Sequence, residues 1–342
     1  MTVIEGTSAD AAWTQAFEAL RGPAACRRPD TRGGPTRESL HVLLRIADPR
    51  QRWVVSRWPP INPAFAIAEA FWILAGRADS GFVNAWNKRL PLFAGTGGAY
   101  HGAYGARIRN HFGIDQLKRA YEALRNVPSS RQVVLQIWDA SLDLPDKAGL
   151  PADEDIPCNV CSLVKVSEGR LEWMQIVRSN DVVLGLPYNL VQFTFLQEIL
   201  AGWLGIQPGG YHQLSDSLHI YEHDLGNFEC RPEAVRNNDD FLGCEISESE
   251  RYFRIMVAAI ERLGSGGIGA KEIEQTITEP VLPLAFSNLL SVVAAEAARK
   301  KKWLAASDNI ISRCTNPLLR QVWTRWTEHR HSRSLLSSSG RS

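Results

Sequence analysis

The chain has 342 residues, 44% of them apolar and 22% charged, and its 38 Lys and Arg against 37 Asp and Glu leave a formal charge of +1. That suffices for a sizeable core and excludes a bulk field for DNA, RNA or anionic membranes, so any anion must be held by locally placed arginines, as suits a small substrate. No stretch approaches the roughly 20 apolar residues of a membrane helix, and MTVIEGTSADAAW lacks a basic segment followed by an apolar one, so the expected location is the cytoplasm.

Taken in chain order, residues from about Trp13 to Arg21 have helical spacing, and GPAACRRPDTRGGPTRE reads as a surface loop rich in guanidinium groups. SLHVLLRI predicts a strand stopped by WPPINPAF, and AFAIAEAFWILAGRAD a helix whose apolar stretch holds one acid, Glu69. A turn-rich region spans Asn84 to Gly105. DQLKRAYEALRN predicts an amphipathic helix ending before Pro128, RQVVLQIWD a strand, and DLPDKAGLPADED a surface insertion. PCNVCSLVKV alternates as a strand, RLEWMQIVRSNDVVLG supplies another strand and a turn, YNLVQFTFLQEILAGWLG a long buried helix, and YHQLSDSLHIYEHD a further strand. Beyond Leu225 come polar segments, an apolar helix around PLAFSNLLSVVAAEAARKKKWLAA, and a basic, serine-rich tail.

Strands and helices intermix with no internal repeat and no long linker, which predicts one α/β (α+β) domain around a mixed sheet. The expected boundaries are an amino-terminal helix and loop over 1–30, the main domain over 31–330 and a disordered basic tail over 331–342. Six cysteines (Cys26, Cys158, Cys161, Cys230, Cys244 and Cys314) are too sparse for a disulfide scaffold. Cys158 and Cys161 form the one C-x-x-C, which could be redox-active or half a zinc site. No second C-x-x-C or matched histidine pair accompanies it, and strand alternation would point the two sulfurs to opposite faces; no metal is expected.

One constellation goes beyond composition. In IPCNVC, VRSNDVVLGLPYN and SLHIYEHD, Arg178 follows Cys158 by twenty positions, Asn189 follows Arg178 by eleven, and His219 follows Asn189 by thirty. In residue type, order and spacing these segments resemble the active-site core of the thymidylate synthase family. Glu69, Tyr104 in AYGARI, Arg131 in PSSRQVV and Arg32 in DTRGG fall at matching positions upstream. The resemblance runs from about Arg32 to Asp224 and implies a thymidylate synthase-like fold with a pyrimidine nucleoside monophosphate as substrate. It also implies 5,10-methylenetetrahydrofolate as co-substrate.

The residue types suit that chemistry. Addition of a thiolate to C6 of a pyrimidine builds electron density at C5, and Cys158 is the candidate nucleophile, with the Arg178 guanidinium nearby to stabilise the thiolate. By itself an unpaired cysteine is usually a small buried apolar residue. Arginines make forks that match phosphate oxygens; the resemblance implies phosphate ligation by Arg32, Arg178 and Ser179, and by Arg131 donated across a homodimer interface. Gln132 replaces a second arginine of the common pattern. Asn189 can donate to O4 and accept from N3–H of uracil, or flip to serve cytosine, so it leans toward uracil while leaving cytosine open. The resemblance further implies that His219 and Tyr221 bind ribose hydroxyls, that Asp181 holds the pterin, and that Tyr104 lies near the proton abstracted from C5. Glu69, desolvated in an apolar helix, would be raised toward the range useful for proton transfer unless a neighbouring arginine caps it.

The departures bear on the second half of the reaction. Asn159 stands where synthases usually carry histidine, Val177 where they carry glutamine, and SSSGRS differs from the apolar tail of a synthase. RSNDVV and SLHIY are nearer in wording to the deoxycytidylate and cytidylate hydroxymethylase branch. The expectation is therefore hydroxymethylation of CMP, dCMP or dUMP with water. The alternatives are reductive methylation of dUMP to dTMP, or a non-catalytic nucleotide- or RNA-binding relative.

Overall fold

In the computed structural model, which describes residues 1–22, 27–31 and 33–339 with side chains through residue 332, the chain opens with β1 (Thr2–Gly6) and α1 (Ala9–Arg21). β2 (Asp30–Thr31), β3 (Gly34–Ile46), β4 (Arg57–Trp58), α2 (Pro63–Leu74), α3 (Ser80–Asn84) and α4 (Pro91–Ala94) follow. Next come α5 (Tyr104–Ala106), continued as a π-turn over Arg107–His111, then α6 (Gln116–Asn126), β5 (Val134–Gln136) and α7 (Ala140–Asp143). The site-bearing centre consists of β6 (Asn159–Ser167), β7 (Arg170–Asp181), α8 (Leu186–Trp203) and β8 (Gln207–Tyr221). β9 (Glu229–Cys230), α9 (Ile246–Gly264), α10 (Ala270–Thr278), α11 (Leu284–Lys300), α12 (Leu304–Ser312) and α13 (Pro317–Ser339) complete it.

The main sheet has the order β1-β3-β8-β7-β6-β5, with β2 pairing to β3. It is mixed, as expected: β1 runs parallel to β3 and β7 parallel to β8, while the β3–β8, β6–β7 and β5–β6 pairs are antiparallel. One face is dry. Trp173, Gln175 and Val177 on β7 and Tyr211, Gln213 and Ser215 on β8 are all buried there, and α8 lies across both strands. α8 and α2 are buried on nearly every side, so neither shows a polar stripe; they pack on one another and are covered by α9 and α11. Phe71 of α2 joins them, its ring 6.4 Å from Phe195, 6.2 Å from Phe253 and 6.2 Å from Phe286.

Five segments differ from expectation. β1 was not anticipated because its five residues bury only Ile4; register with Val42–Ile46 makes it a strand. α1 starts at Ala9 because Ser8 caps it, its hydroxyl accepting from Ala11 N at 3.2 Å. The region beyond Leu225, read as polar, contains α9, whose buried Tyr252, Phe253, Met256, Ala259, Ile260 and Leu263 recur at helical spacing beneath a charged face. α13 continues to Ser339, so the backbone of 331–339, where an unstructured basic tail was expected, prolongs a helix anchored by buried Leu318, Leu319, Val322 and Trp323. Of RQVVLQIWD only Val134–Gln136 is regular strand. Among the described residues no helix is long and apolar enough to cross a membrane.

Candidate active site

Cys158 lies half-buried just ahead of β6, where the pairing with β7 shifts register between Asn159 and Cys161, so simple strand alternation does not relate the two thiols. Arg178 on β7 grips the chain at that point. Its backbone N–H donates to the Cys158 carbonyl at 2.9 Å, and Nε and Nη2 donate to the carbonyls of Pro157 and Ile156, each at 3.0 Å. The guanidinium also lies over the Trp138 ring, 5.3 Å from its centroid. Arg178 thus sets the backbone that presents the thiol, a role its residue type alone did not disclose. Among the described residues, three of its five N–H groups remain for an anion.

Tyr104 and Glu69 reach the same place from α5 and α2. The turn bearing Tyr104 can lie on α2 because Gly105 sits against the Ile73 backbone, where a Cβ would collide with the Ile73 carbonyl. Burial, with the charges of Cys158, Asp155 and Glu69, raises the Tyr104 phenol well above its ordinary value, against a hydrogen bond with Asn159 that lowers it. Cys158, Asn159, Asp155 and Glu69 are therefore all neighbours of Tyr104. Glu69 is raised from 4.5 to about 7 by desolvation, moderated by the bond in which Gln192 Nε2 donates to its Oε2 at 2.6 Å. Its partner is a neutral amide from α8 rather than the arginine that could have capped it.

Asn159, fully buried, continues the cluster inward. Its Nδ2 donates to Asn189 Oδ1 at 3.4 Å, while Gln175 Nε2 donates to its Oδ1 at 2.9 Å. Asp181 and His219 face one another in the β7–β8 register. Asp181 Oδ1 accepts from the Val183 and Leu184 amides at 2.8 Å each, and burial raises its carboxyl while those bonds and His219 pull it down. Burial lowers His219, opposed by Asp181 and Glu38. The His219 and Tyr221 rings meet edge to face with centroids 5.4 Å apart. Ser179 pairs with Ser217 on the neighbouring strand.

The structure therefore gathers Cys158, Asn159, Tyr104, Glu69, Arg178 and Asn189, and sets Ser179, Asp181, His219 and Tyr221 along the adjoining ends of β7 and β8. Arg131 stands exposed ahead of β5 and joins none of these bonds among the described residues; Arg32 lies outside the described residues. Sequence reasoning missed Trp138, Gln192 and Gln175. A signal was available for Gln175, a carboxamide at a buried position of the otherwise apolar alternation Leu171, Trp173, Val177.

Residues 48–261, more than half of the sequence, match the family model described as thymidylate synthase. The chain belongs to the thymidylate synthase family. It is 35% identical over 206 residues to the "Deoxyuridylate hydroxymethyltransferase" of Bacillus phage SP01, covering 57% of this chain and 53% of that protein. To the protein of the same name in Delftia phage PhiW-14 it is 30% identical over 257 residues, 68% of this chain and 70% of the other. To a "Putative thymidylate synthase" of Methanothermobacter marburgensis it is 34% identical over 214 residues, 61% of this chain and 86% of the other. The aligned part spans about half the length of the SP01 protein. Among the described residues no group of three His, Cys, Asp or Glu side chains is placed to hold a metal ion.

The synthase-family match ends within α9, so α10 to α13 lie outside it. Those helices complete the cover over α2 through α11 and α13.

Proposed function

We propose that this chain transfers a one-carbon unit to C5 of a pyrimidine nucleoside monophosphate, dUMP before other candidates, and that the product is the 5-hydroxymethyl nucleotide. The observation that carries the reading is that Tyr104 has Cys158, Asn159 and Glu69 as neighbours while Arg178 holds the Cys158 backbone in place. The phage relatives named as deoxyuridylate hydroxymethyltransferases favour this base and this outcome.

Cys158 sulfur adds to C6, and the ring electrons move toward C5 and O4. 5,10-methylenetetrahydrofolate supplies, when bound, a carbon at the oxidation level of formaldehyde. The Asp181 carboxylate fits the pterin N–H groups, since among the described residues the Val183 and Leu184 amides both engage its Oδ1. Tyr104 lies where the C5 proton leaves. Glu69, balanced near neutrality, can take and return a proton within one turnover. C5 bonds to the transferred carbon; loss of the C5 proton and breakage of the bond to the folate nitrogen then release tetrahydrofolate and leave an exocyclic methylene, to which a water adds, and departure of Cys158 from C6 leaves CH2OH on C5. Glu69 and Tyr104 order that water, and Asn159 holds Tyr104 by a hydrogen bond. Arg178 and Ser179 bind the phosphate, with Arg32, and His219 and Tyr221 bind the sugar.

The outward face of the sheet fits a homodimer. Leu43, Leu214, Ile176 and Cys161 form one cross-strand row, and beside it Leu163 and Val134 are 37% and 45% exposed. Arg131 then enters the neighbouring protomer's phosphate site.

Incubation with methylenetetrahydrofolate and C5-tritiated UMP, dUMP, CMP or dCMP tests the reading. Tritium release with dUMP, a product heavier by CH2O and no dihydrofolate are expected. Dihydrofolate formed in step with product would make the chain a synthase, and no release from any nucleotide would remove the enzyme. Cys158→Ala is expected to abolish release; retained release refutes the nucleophile.

A further inference from the structure

Asn189 lies within a buried chain of hydrogen bonds whose polar directions are set from one end, at Trp173. The Trp173 indole N–H, which can only donate, points at Gln175 Oε1 at 3.3 Å, and Ser162 Oγ donates to the same oxygen at 2.6 Å. Gln175 must therefore turn its Nε2 outward, and this donates to Asn159 Oδ1. Asn159 Nδ2 then donates to Asn189 Oδ1, Asn189 Nδ2 to Asn180 Oδ1 at 3.4 Å, and Asn180 Nδ2 to Ser215 Oγ at 2.9 Å. Ser162, Gln175 and Asn159 are wholly inaccessible, and Asn180, Ser215 and Asn189 are buried beside them.

We infer that Trp173 and Gln175, acting through Asn159, are specificity-determining positioning residues that lock the Asn189 carboxamide in one of its two orientations. An amide has the same shape either way, so packing cannot choose. Only the relay can: a flipped Asn189 would set N–H against Asn159 N–H and oxygen against Asn180 oxygen. Reversal of the entire chain would end with Gln175 Nε2 facing the Trp173 N–H, and that clash has no relief because indole has no acceptor. Each Asn189 group keeps one free valence for a ligand, one lone pair and one N–H. Uracil needs an acceptor for N3–H and a donor for O4; cytosine needs the reverse. A single locked orientation can serve only one of them. This rests on the proposed reading of the site, which makes uracil the base served.

The far end of the relay allows a direct test. Ser215, and the Tyr104 phenol that also bonds Asn159, are hydroxyls that can donate as well as accept, so the chain is reversible at both and irreversible only at Trp173. A carboxylate at 175 would still accept from Trp173 and Ser162 and would also accept from Asn159. Asn159, Asn189 and Asn180 would then all turn over, with Ser215 donating. Three donors around that carboxylate favour its ionised form.

The measurement is the ratio of dissociation constants for dUMP and dCMP, by calorimetry on the full chain, so that it stands apart from turnover. Wild type is expected to prefer dUMP by about 100-fold, Gln175→Leu to bring the ratio within about threefold of unity, and Gln175→Glu to invert it. Trp173→Phe, which removes the donor-only anchor, should relax the ratio as Gln175→Leu does and serves where the leucine variant does not fold. Ratios within about twofold of wild type in folded Gln175→Glu and Trp173→Phe proteins would overturn the relay. Failure of tritium release with preserved dUMP preference would remove the proposed activity and leave the relay standing. A wild type that binds neither nucleotide, or prefers dCMP, overturns this inference outright.

Discussion

Replacing Glu69 by glutamine separates the electrostatic cost of this carboxylate from its shape. Desolvation moves the group from 4.5 to about 7, although its hydrogen bond from Gln192 acts in the opposite direction. At about 1.4 kcal/mol per unit, that displacement corresponds to about 3 kcal/mol between the protonated and ionised forms. The folded-state value is raised, so the stability associated with the protonated carboxyl is fully present below about pH 4.5 and is lost as pH rises through about 7. Glutamine holds the uncharged form at every pH, and its amide oxygen can still accept from Gln192. With an unfolding entropy of about 2 cal/mol/K per residue, the variant should melt about 4 °C above wild type at pH 8.5 and match it near pH 4.5. Thermal unfolding followed by circular dichroism over that pH span reads the difference. An offset that is constant with pH, or that shrinks as pH rises, would refute desolvation as the cause. The same variant should lose tritium release together with the limb near pH 7 that wild type is expected to show.

Arg178→Lys should lower kcat/KM by about 100-fold, because an ammonium cannot serve both the Pro157 and Ile156 carbonyls and stack on Trp138; loss of less than about threefold in steady-state assays would separate Arg178 from the placing of Cys158. Mixing inactive Cys158→Ala and Arg131→Ala proteins after joint refolding should restore up to about a quarter of wild-type activity, one mixed protomer pair then holding one intact site. No recovery would place Arg131 outside the partner's site. Arg52→Ala should destabilise the fold by about 3–5 kcal/mol in urea titration, since it strands the buried Glu198 carboxylate, which otherwise pairs with Arg52 and accepts from Leu242 N at 2.8 Å. A cost below about 1 kcal/mol would refute the Arg52–Glu198 pair as a support of the fold.

Cys158, Arg178, Asn189 and His219 were legible as a group through their resemblance to the family's motif in residue type, order and spacing, and they fall on the consecutive run β6, β7, α8 and β8 or just ahead of it. The helices holding Glu69 and Asn189 were legible for a different reason: long apolar runs with helical spacing have few other ways to bury themselves. Periodicity is a local signal, however, and it was silent where partners are distant. β1 is a strand by virtue of residues 42–46, α9 hides its apolar stripe among acids, and the segment from 331 to 339 extends a helix rather than trailing free in the backbone described. What the sequence alone determined was the set of chemical groups and their order, including a thiol followed by an arginine, an amide and a histidine. Only the tertiary structure decided what each group faces. Glu69 meets an amide 123 positions away, Arg178 turns toward carbonyls, and Asn189 receives its orientation from an indole across the sheet interior. Protonation and hydrogen-bond direction depend on burial and on through-space partners, which become defined once the sheet and its helices close.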